Sequence, residues 1–251
     1  MISDDNESVK LGSVGILGAA LAALLVAVPP AGAAKPRCLA GALRPVGTQA
    51  VAYAGVVKNK VSVYRKPRAE AFATFGKLNE NGFPTTFAIV GAVMTKGCSA
   101  DWYRVQVPMR PNGTTGYVRA ADIVIQKVTM RIRIDISERR LTLYDKGKKI
   151  LSTPVAVGSA ATPTPVGRFY VNQRILTTDA SGPYGPAALG ISAFSDVLTG
   201  WAQGGPIGIH GTNAPWSIGQ AVSNGCIRLD NAVLKQVFRR VFAGAPVVIS
   251  A

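Results

Sequence analysis

Beyond about residue 50, apolar and polar residues alternate in short runs separated by turn residues, the pattern of half-buried strands. Val61-Ser-Val-Tyr64 alternates until Lys66-Pro67 interrupts it, and Thr86-Phe-Ala-Ile-Val90 resumes. Trp102-Tyr-Arg-Val-Gln-Val107 runs up to Pro111-Asn112-Gly113, and Gly116-Tyr117-Val118 returns as the second arm of a hairpin. A second series follows the short join Ile125-Gln126-Lys127. Arg131-Ile-Arg-Ile-Asp-Ile136 alternates throughout, with Arg131 and Arg133 on its solvated side, and Ser137-Glu-Arg-Arg140 turns. Leu141-Thr-Leu-Tyr144 is the next strand, Asp145-Lys146-Gly147 a turn, and Lys149 to Val157 a third strand. One segment has the helical period. Asp230 or Asn231 caps it, and Val233, Leu234, Val237, Phe238, Val241 and Phe242 form its apolar face. Arg239 and Arg240 suit its last turn, and Gly244 ends it. Pro246-Val-Val-Ile249 closes the chain as a strand. The predicted fold is mainly β, with one helix near the C-terminus.

The amino terminus breaks this pattern. Residues 11–28 are uncharged and rich in Leu, Ala, Val and Gly, and are followed by Pro29-Pro30 and Ala31-Gly32-Ala33-Ala34. This is expected to be an export signal. Cleavage after Ala33 or Ala34 and retention as a membrane anchor both fit its length. Asp4-Asp5-Asn6-Glu7 is acidic where a signal is normally basic, which fits translation starting near Val9-Lys10. The 251 residues thus divide into a signal or anchor at 1–34, a linker at 35–50, and two β domains at 51–125 and 128–251.

Lys and Arg number 28 against 13 Asp and Glu, a formal net charge of +15 spread along the chain, so the expected neighbour is a polyanion. Nucleic acid is not expected: the chain has no zinc-ligand pattern, no aromatic-rich RNA-binding signature and no strongly basic helix. Anionic cell-wall polymers and acidic lipid head groups fit the charge, the membrane being met only through an uncleaved N-terminal segment. Oligomeric state is not fixed by the sequence.

The chemistry gathers between Ile207 and Leu229. An apolar run delivers His210, the single histidine of the chain, and a Gly-rich loop leads to Ser223-Asn224-Gly225-Cys226-Ile227-Arg228-Leu229. A thiol at its ordinary pKa of about 8.5 is mostly protonated at neutral pH and needs a base, and His210 is the imidazole available. Gly225 suits a turn that exposes the sulfur and directs consecutive N–H groups at a common spot, where an oxyanion is stabilised. One histidine and one nearby cysteine fall short of the ligands zinc needs, so no metal or other cofactor is expected.

These residues resemble the active-site signature of the YkuD-type L,D-transpeptidases, which cross-link bacterial peptidoglycan. Ile-His210-Gly-Thr, the loop length, and Ser223-x-Gly225-Cys226-Ile-Arg-Leu match; Asn224 stands where the family usually has a second histidine. The resemblance implies that Cys226 is the nucleophile and His210 its base, with the Gly211 carbonyl orienting the imidazole. The backbone N–H groups of Asn224, Gly225 and Cys226 form the oxyanion hole. The substrate is a peptidoglycan stem tetrapeptide, acylated on Cys226 with release of D-alanine and passed to an amine of a neighbouring stem. Hydrolysis of the same acyl-enzyme, and a non-catalytic wall-binding protein, are the rival readings. Arg228 serves to lower the thiol pKa or to meet a substrate carboxylate, or is a surface charge, and Ser223 is a further candidate for substrate contact.

Thr162-Pro-Thr-Pro-Val-Gly-Arg-Phe169 resembles the family segment entering the strand beneath the cleft, its prolines stiffening it. The Gly-rich stretches around residues 182–205 read as lids or substrate walls, in which Tyr184 and Trp201 are candidates for substrate contact or for packing. The second domain is thus expected to be a YkuD-type β-sandwich or barrel. The first resembles a bacterial SH3-like barrel, in which Trp102, Tyr103 and Tyr117 either bind wall polymers or pack in the core. With Cys226 assigned, Cys38 and Cys98 remain; an exported chain permits a disulfide between them, and two unpaired thiols are the alternative.

Overall fold

The computed structural model describes residues 38–251. The proposed signal or anchor at 1–34 lies outside the described residues, among which no helix is long and apolar enough to cross a membrane.

Eight strands build the first sheet: β1 (Leu43–Pro45), β2 (Ala52–Val57), β3 (Lys60–Tyr64), β4 (Ala71–Gly76), β5 (Thr86–Met94), β6 (Ala100–Gln106), β7 (Thr115–Arg119) and β8 (Ile123–Val128). Their order is β4-β3-β7-β6-β5-β2-β8, with β1 added to β5. The alternating apolar positions Val61, Val63, Phe87, Ile89, Val105 and Val118 turn inward to form its core. Trp102 is buried and packs edge-on against Tyr64 at 5.2 Å, so its ring belongs to the packing, while Tyr103 and Tyr117 are partly buried.

Two boundaries differ from the sequence reading. Within the expected linker at 35–50, Leu43–Pro45 pairs with β5, and Cys38 is bonded to Cys98 with their Cα atoms 5.1 Å apart. Leu43 covers the bare face of Gly91, which gives that short strand an apolar anchor. Residues 125–127, read as a join, are part of β8, which pairs along the whole of β2, so the connection to the next sheet is Thr129 alone.

The second sheet contains β9 (Met130–Asp135), β10 (Arg140–Asp145), β11 (Lys148–Pro154), β13 (Gly167–Leu176), β14 (Ala187–Phe194), β15 (Pro206–His210), β17 (Ile227–Arg228) and β18 (Pro246–Ser250). Its order is β11-β10-β9-β18-β13-β14-β15-β17, and β12 (Val157–Gly158) pairs separately with β16 (Ala221–Ser223). The expected strand from Lys149 to Val157 is broken at Pro154, which lacks an N–H to continue a ladder. Beyond it Ala156 exchanges both backbone hydrogen bonds with Arg228, each 3.0 Å.

The helix α1 (Asn231–Arg240) is capped by Asp230, whose carboxylate accepts from the Ala232 and Val233 amides. It lays Leu234, Val237 and the following Val241 on a core of Ile132, Ile134, Leu189 and Ile209. The helix stops before Gly244: Val241 is already extended, and Gly244, at φ +90°, turns the chain into β18.

The described residues form one compact unit, and side chains of the first sheet hold main chain of the second. Asn112 donates to the Phe194 carbonyl at 2.8 Å and accepts from the Phe194 amide at 2.9 Å. Arg110 donates to the carbonyls of Ser195 and Gly204.

Candidate active site

β15 and β17 run parallel, with Ile209 opposite Ile227 and His210 opposite Arg228. Ile209 and Ile227 are fully buried in the core. Side chains alternate across a sheet, so Gly208, His210, Cys226 and Arg228 share the other face. The contact follows the register: the Gly208 amide donates to the Cys226 Sγ at 3.4 Å. Gly208 carries no side chain on the face it shares with the sulfur and the ring.

His210 is 4% exposed, and its Nδ1 lies 2.6 Å from the Gly211 carbonyl oxygen. A carbonyl only accepts, so Nδ1 carries the hydrogen and Nε2 keeps its lone pair. Burial lowers the His210 pKa to about 4; the Gly211 carbonyl works against this and the Arg228 charge works with it. Burial raises the Cys226 pKa, opposed by the Gly208 amide and by Arg228. At neutral pH the pair therefore rests as thiol and imidazole, and proton transfer belongs to the attack itself.

A set of hydroxyl groups shapes the turn before the sulfur. Ser223 Oγ donates to the Cys226 carbonyl at 2.6 Å and accepts from the Gly225 amide at 3.2 Å. Thr164 Oγ1 donates to the Gly225 carbonyl at 2.9 Å and accepts from the Gly158 amide, while Thr162 Oγ1 donates to the Ser223 carbonyl at 2.9 Å. Gly225 sits at φ +103°, where a side chain is strained. The Gly225 amide is thus already engaged. Among the described residues no protein acceptor takes the amides of Asn224 and Cys226.

The remaining candidates are scattered. Ser223 is buried with its hydroxyl engaged by the turn, and the Asn224 side chain is exposed. Arg228 is partly buried, its Nε shielded and without a hydrogen-bond partner among the described residues. Tyr184, half exposed, stands edge-on to the His210 ring at 4.9 Å. Trp201 lies in the loop joining β14 to β15 next to Pro206, at the end of the hairpin opposite His210.

Three features were not read from the sequence. Asn231 clamps the Thr212 peptide, its Oδ1 accepting from Thr212 N at 2.9 Å and its Nδ2 donating to Thr212 O at 3.0 Å. This fixes the segment whose Gly211 carbonyl aligns the imidazole. The Thr162 and Thr164 hydroxyls looked like parts of a stiff turn, and Gly208 like one more residue of an apolar strand. Among the described residues no group of three or more His, Cys, Asp or Glu is arranged to hold a metal ion.

The fold is a mainly β sheet in which a histidine ends one strand and a cysteine precedes the parallel strand beside it, and comparison with known proteins gives the family. The YkuD family model, described as the L,D-transpeptidase catalytic domain, matches residues 129–249. A Bacillus subtilis protein named as the L,D-transpeptidase YkuD is 35% identical over 123 residues, 49% of this chain and 67% of that protein. Its Bacillus licheniformis namesake is 38% identical over 104 residues, 41% of this chain and 55% of that protein. Another Bacillus subtilis relative, named as the L,D-transpeptidase YqjB, is 32% identical, with 57% of this chain and 78% of that protein covered. The chain belongs to the YkuD L,D-transpeptidase family. It spans about half the length of the Bacillus licheniformis relative. The solved catalytic domain of the Enterococcus faecium L,D-transpeptidase is 26% identical over 48% of this chain and 96% of that one, with a TM-score of 0.35.

Proposed function

We propose that the chain is an L,D-transpeptidase in which Cys226 is the nucleophile and His210 the general base. The observation that carries this reading is the common face of β15 and β17, which sets the sulfur against the Gly208 amide and beside a histidine whose Nδ1 is tied to Gly211. Nε2 takes the thiol proton as Sγ attacks the carbonyl after the third residue of a stem tetrapeptide. The amide bond to the terminal D-alanine breaks, and D-alanine leaves with that proton. An amine of a second stem attacks the thioester, its proton passing to Nε2, and the sulfur departs as a thiolate that recovers the proton from the imidazolium. The amides of Asn224 and Cys226, which have no protein acceptor among the described residues, form the oxyanion hole, while the Gly225 amide, expected there too, is held by Ser223 Oγ. Removing such stabilisation commonly costs about 3 kcal/mol.

Arg228 shifts both members of the pair: its charge favours thiolate and disfavours imidazolium. These effects oppose each other during proton transfer, which leaves stabilisation of the developing oxyanion, or of a substrate carboxylate, as its contribution. Tyr184 covers the histidine side of the cleft. Residues 1–34 direct export, and the β1–β8 sheet is an SH3-like module that positions wall polymer. The Cys38–Cys98 bond and the +15 charge agree with an extracytoplasmic site among anionic polymers. Incubating the chain with a defined stem tetrapeptide and recording product masses tests the reading. Cross-linked dimers are expected; tripeptide alone means hydrolysis, and unaltered substrate contradicts the enzyme.

A further inference from the structure

Four residues on four neighbouring strands form one row across the cleft face of the second sheet. Gln173 is opposite Gly190, Gly190 is opposite Gly208, and Gly208 adjoins Cys226. The flanking Leu189, Ile191, Ile209 and Ile227 point into the core on the other face. Gly208 leaves the floor bare beside the sulfur, and the Gln173 side chain folds over Gly190. Two interstrand steps of about 4.8 Å therefore separate Cys226 from the Gln173 amide, about 10 Å. An extended peptide advances about 3.4 Å per residue, so this stretch accommodates about two to three residues.

The far end of the row is built by the loop joining β4 to β5. Gln173 Oε1 accepts from Asn79 Nδ2 at 3.2 Å and from Asn81 Nδ2 at 2.9 Å, which occupies both of its lone pairs. Asn81 is braced by Gln203, whose Nε2 donates to it at 2.9 Å. The Gln173 Nε2 is turned back over Gly190, where a Cβ built on that glycine would lie 2.7 Å from it. Its two hydrogens have no acceptor among the described residues. Beyond it opens a cavity of about 610 Å³ lined by side-chain amides, by Phe75, Met109 and Phe194, and by the charged Glu80 and Arg110. Side-chain amides that donate and accept suit the backbone of a peptide.

We propose that Gln173, held by Asn79 and Asn81, is a subsite for the stem peptide. Its amide nitrogen donates to a peptide carbonyl two residues from the one attacked by Cys226, that of the first stem residue. The inference rests on the acyl-transfer reading and gives the first sheet a share in substrate selection.

The test uses the full chain with two donors: the stem tetrapeptide, and the dipeptide of its third and fourth residues, which is too short to reach Gln173. Gln173→Leu is expected to lower the tetrapeptide-to-dipeptide ratio of kcat/KM about 10-fold, and Asn79→Leu with Asn81→Leu to lower it in the same direction. A ratio within twofold of the parent's overturns the subsite, whether both rates fall together or neither falls. Calorimetric binding of the tetrapeptide to Cys226→Ser reads the same contact without turnover: adding Gln173→Leu should raise Kd at least fivefold, and an equal Kd overturns the proposal. Acylation of the parent chain by a β-lactam is followed separately, because its failure contradicts the acyl-transfer reading rather than the subsite.

Discussion

The backbone amide of Gly208 donates to the sulfur of Cys226, 3.4 Å away, and the alternation of β15 puts His210 on the same face two residues on. Gly208 puts no side chain on that face. A Cβ there meets the Leu189 carbonyl at 3.5 Å and the His210 Cδ2 at 4.0 Å, both ordinary contacts. Gly208→Ala should fold and retain acylation within about 10-fold. Gly208→Val should fold but lose about 100-fold or more, its branched side chain occupying the path of the attack. Rates of β-lactam adduct formation, with circular dichroism to confirm folding, check both; equal rates for the two variants contradict this role.

Asn231 is the next target. Its amide satisfies both backbone groups of Thr212, which is 5% exposed. Asn231→Ala leaves them unpaired and is expected to cost about 2–3 kcal/mol in denaturant unfolding. Acylation should fall about 10- to 100-fold as the Gly211 carbonyl loses its fixed position. A variant equally stable but just as slow would show that alignment dominates; full activity would contradict the clamp.

The pH profile is set by burial. The His210 pKa is lowered to about 4, so the imidazole remains a base down to that pH, and the acid limb of the acylation rate is expected near 4 instead of 6.5. The same shift has a stability consequence. Between pH 6.5 and about 4 the unfolded chain binds the proton that the folded chain refuses, so stability is full above 6.5 and falls as the pH drops. The loss is at most about 3 kcal/mol. His210→Gln should lack that slope in pH-dependent unfolding. An acid limb at pH 6–7 would contradict the buried, neutral imidazole.

The bond between Cys38 and Cys98 closes a 60-residue separation, tying the start of the described chain to the turn between β5 and β6. Chain-entropy arguments give about 4 kcal/mol for a loop of this length. Cys38→Ser with Cys98→Ser should lower unfolding stability by up to that amount while sparing adduct formation at Cys226. A double variant as stable as the parent would show that β1 and its neighbours hold this segment without the bond.

Much of this was legible before any coordinates, and what was missed shares a physical cause. Alternation predicts Arg131-Ile136, Leu141-Tyr144 and the helix because each carries its own period, and His210 and Cys226 stand out by their chemistry. Strand partners are set by long-range pairing, which local pattern does not encode. That is why Leu43–Pro45 passed for a linker and why the chain past Pro154 passed for more strand. The roles of Thr162, Thr164 and Asn231 depend on neighbours more than fifteen residues away, and Thr-Pro-Thr-Pro or a residue at a helix start has a local explanation that hides them. Trp201 read as a candidate for substrate contact or for packing, and the hairpin register, which pattern does not encode, puts its loop at the Phe194–Pro206 end, away from His210.

The central claim is that Cys226 becomes acylated with His210 as its base, and intact-mass spectrometry of the chain incubated with an acylating β-lactam tests it most directly. One adduct is expected, carried by the peptide containing Cys226. It should be absent in Cys226→Ala and form about 100- to 10,000-fold more slowly in His210→Gln. No adduct on the parent chain, or one that survives Cys226→Ala, would contradict the account.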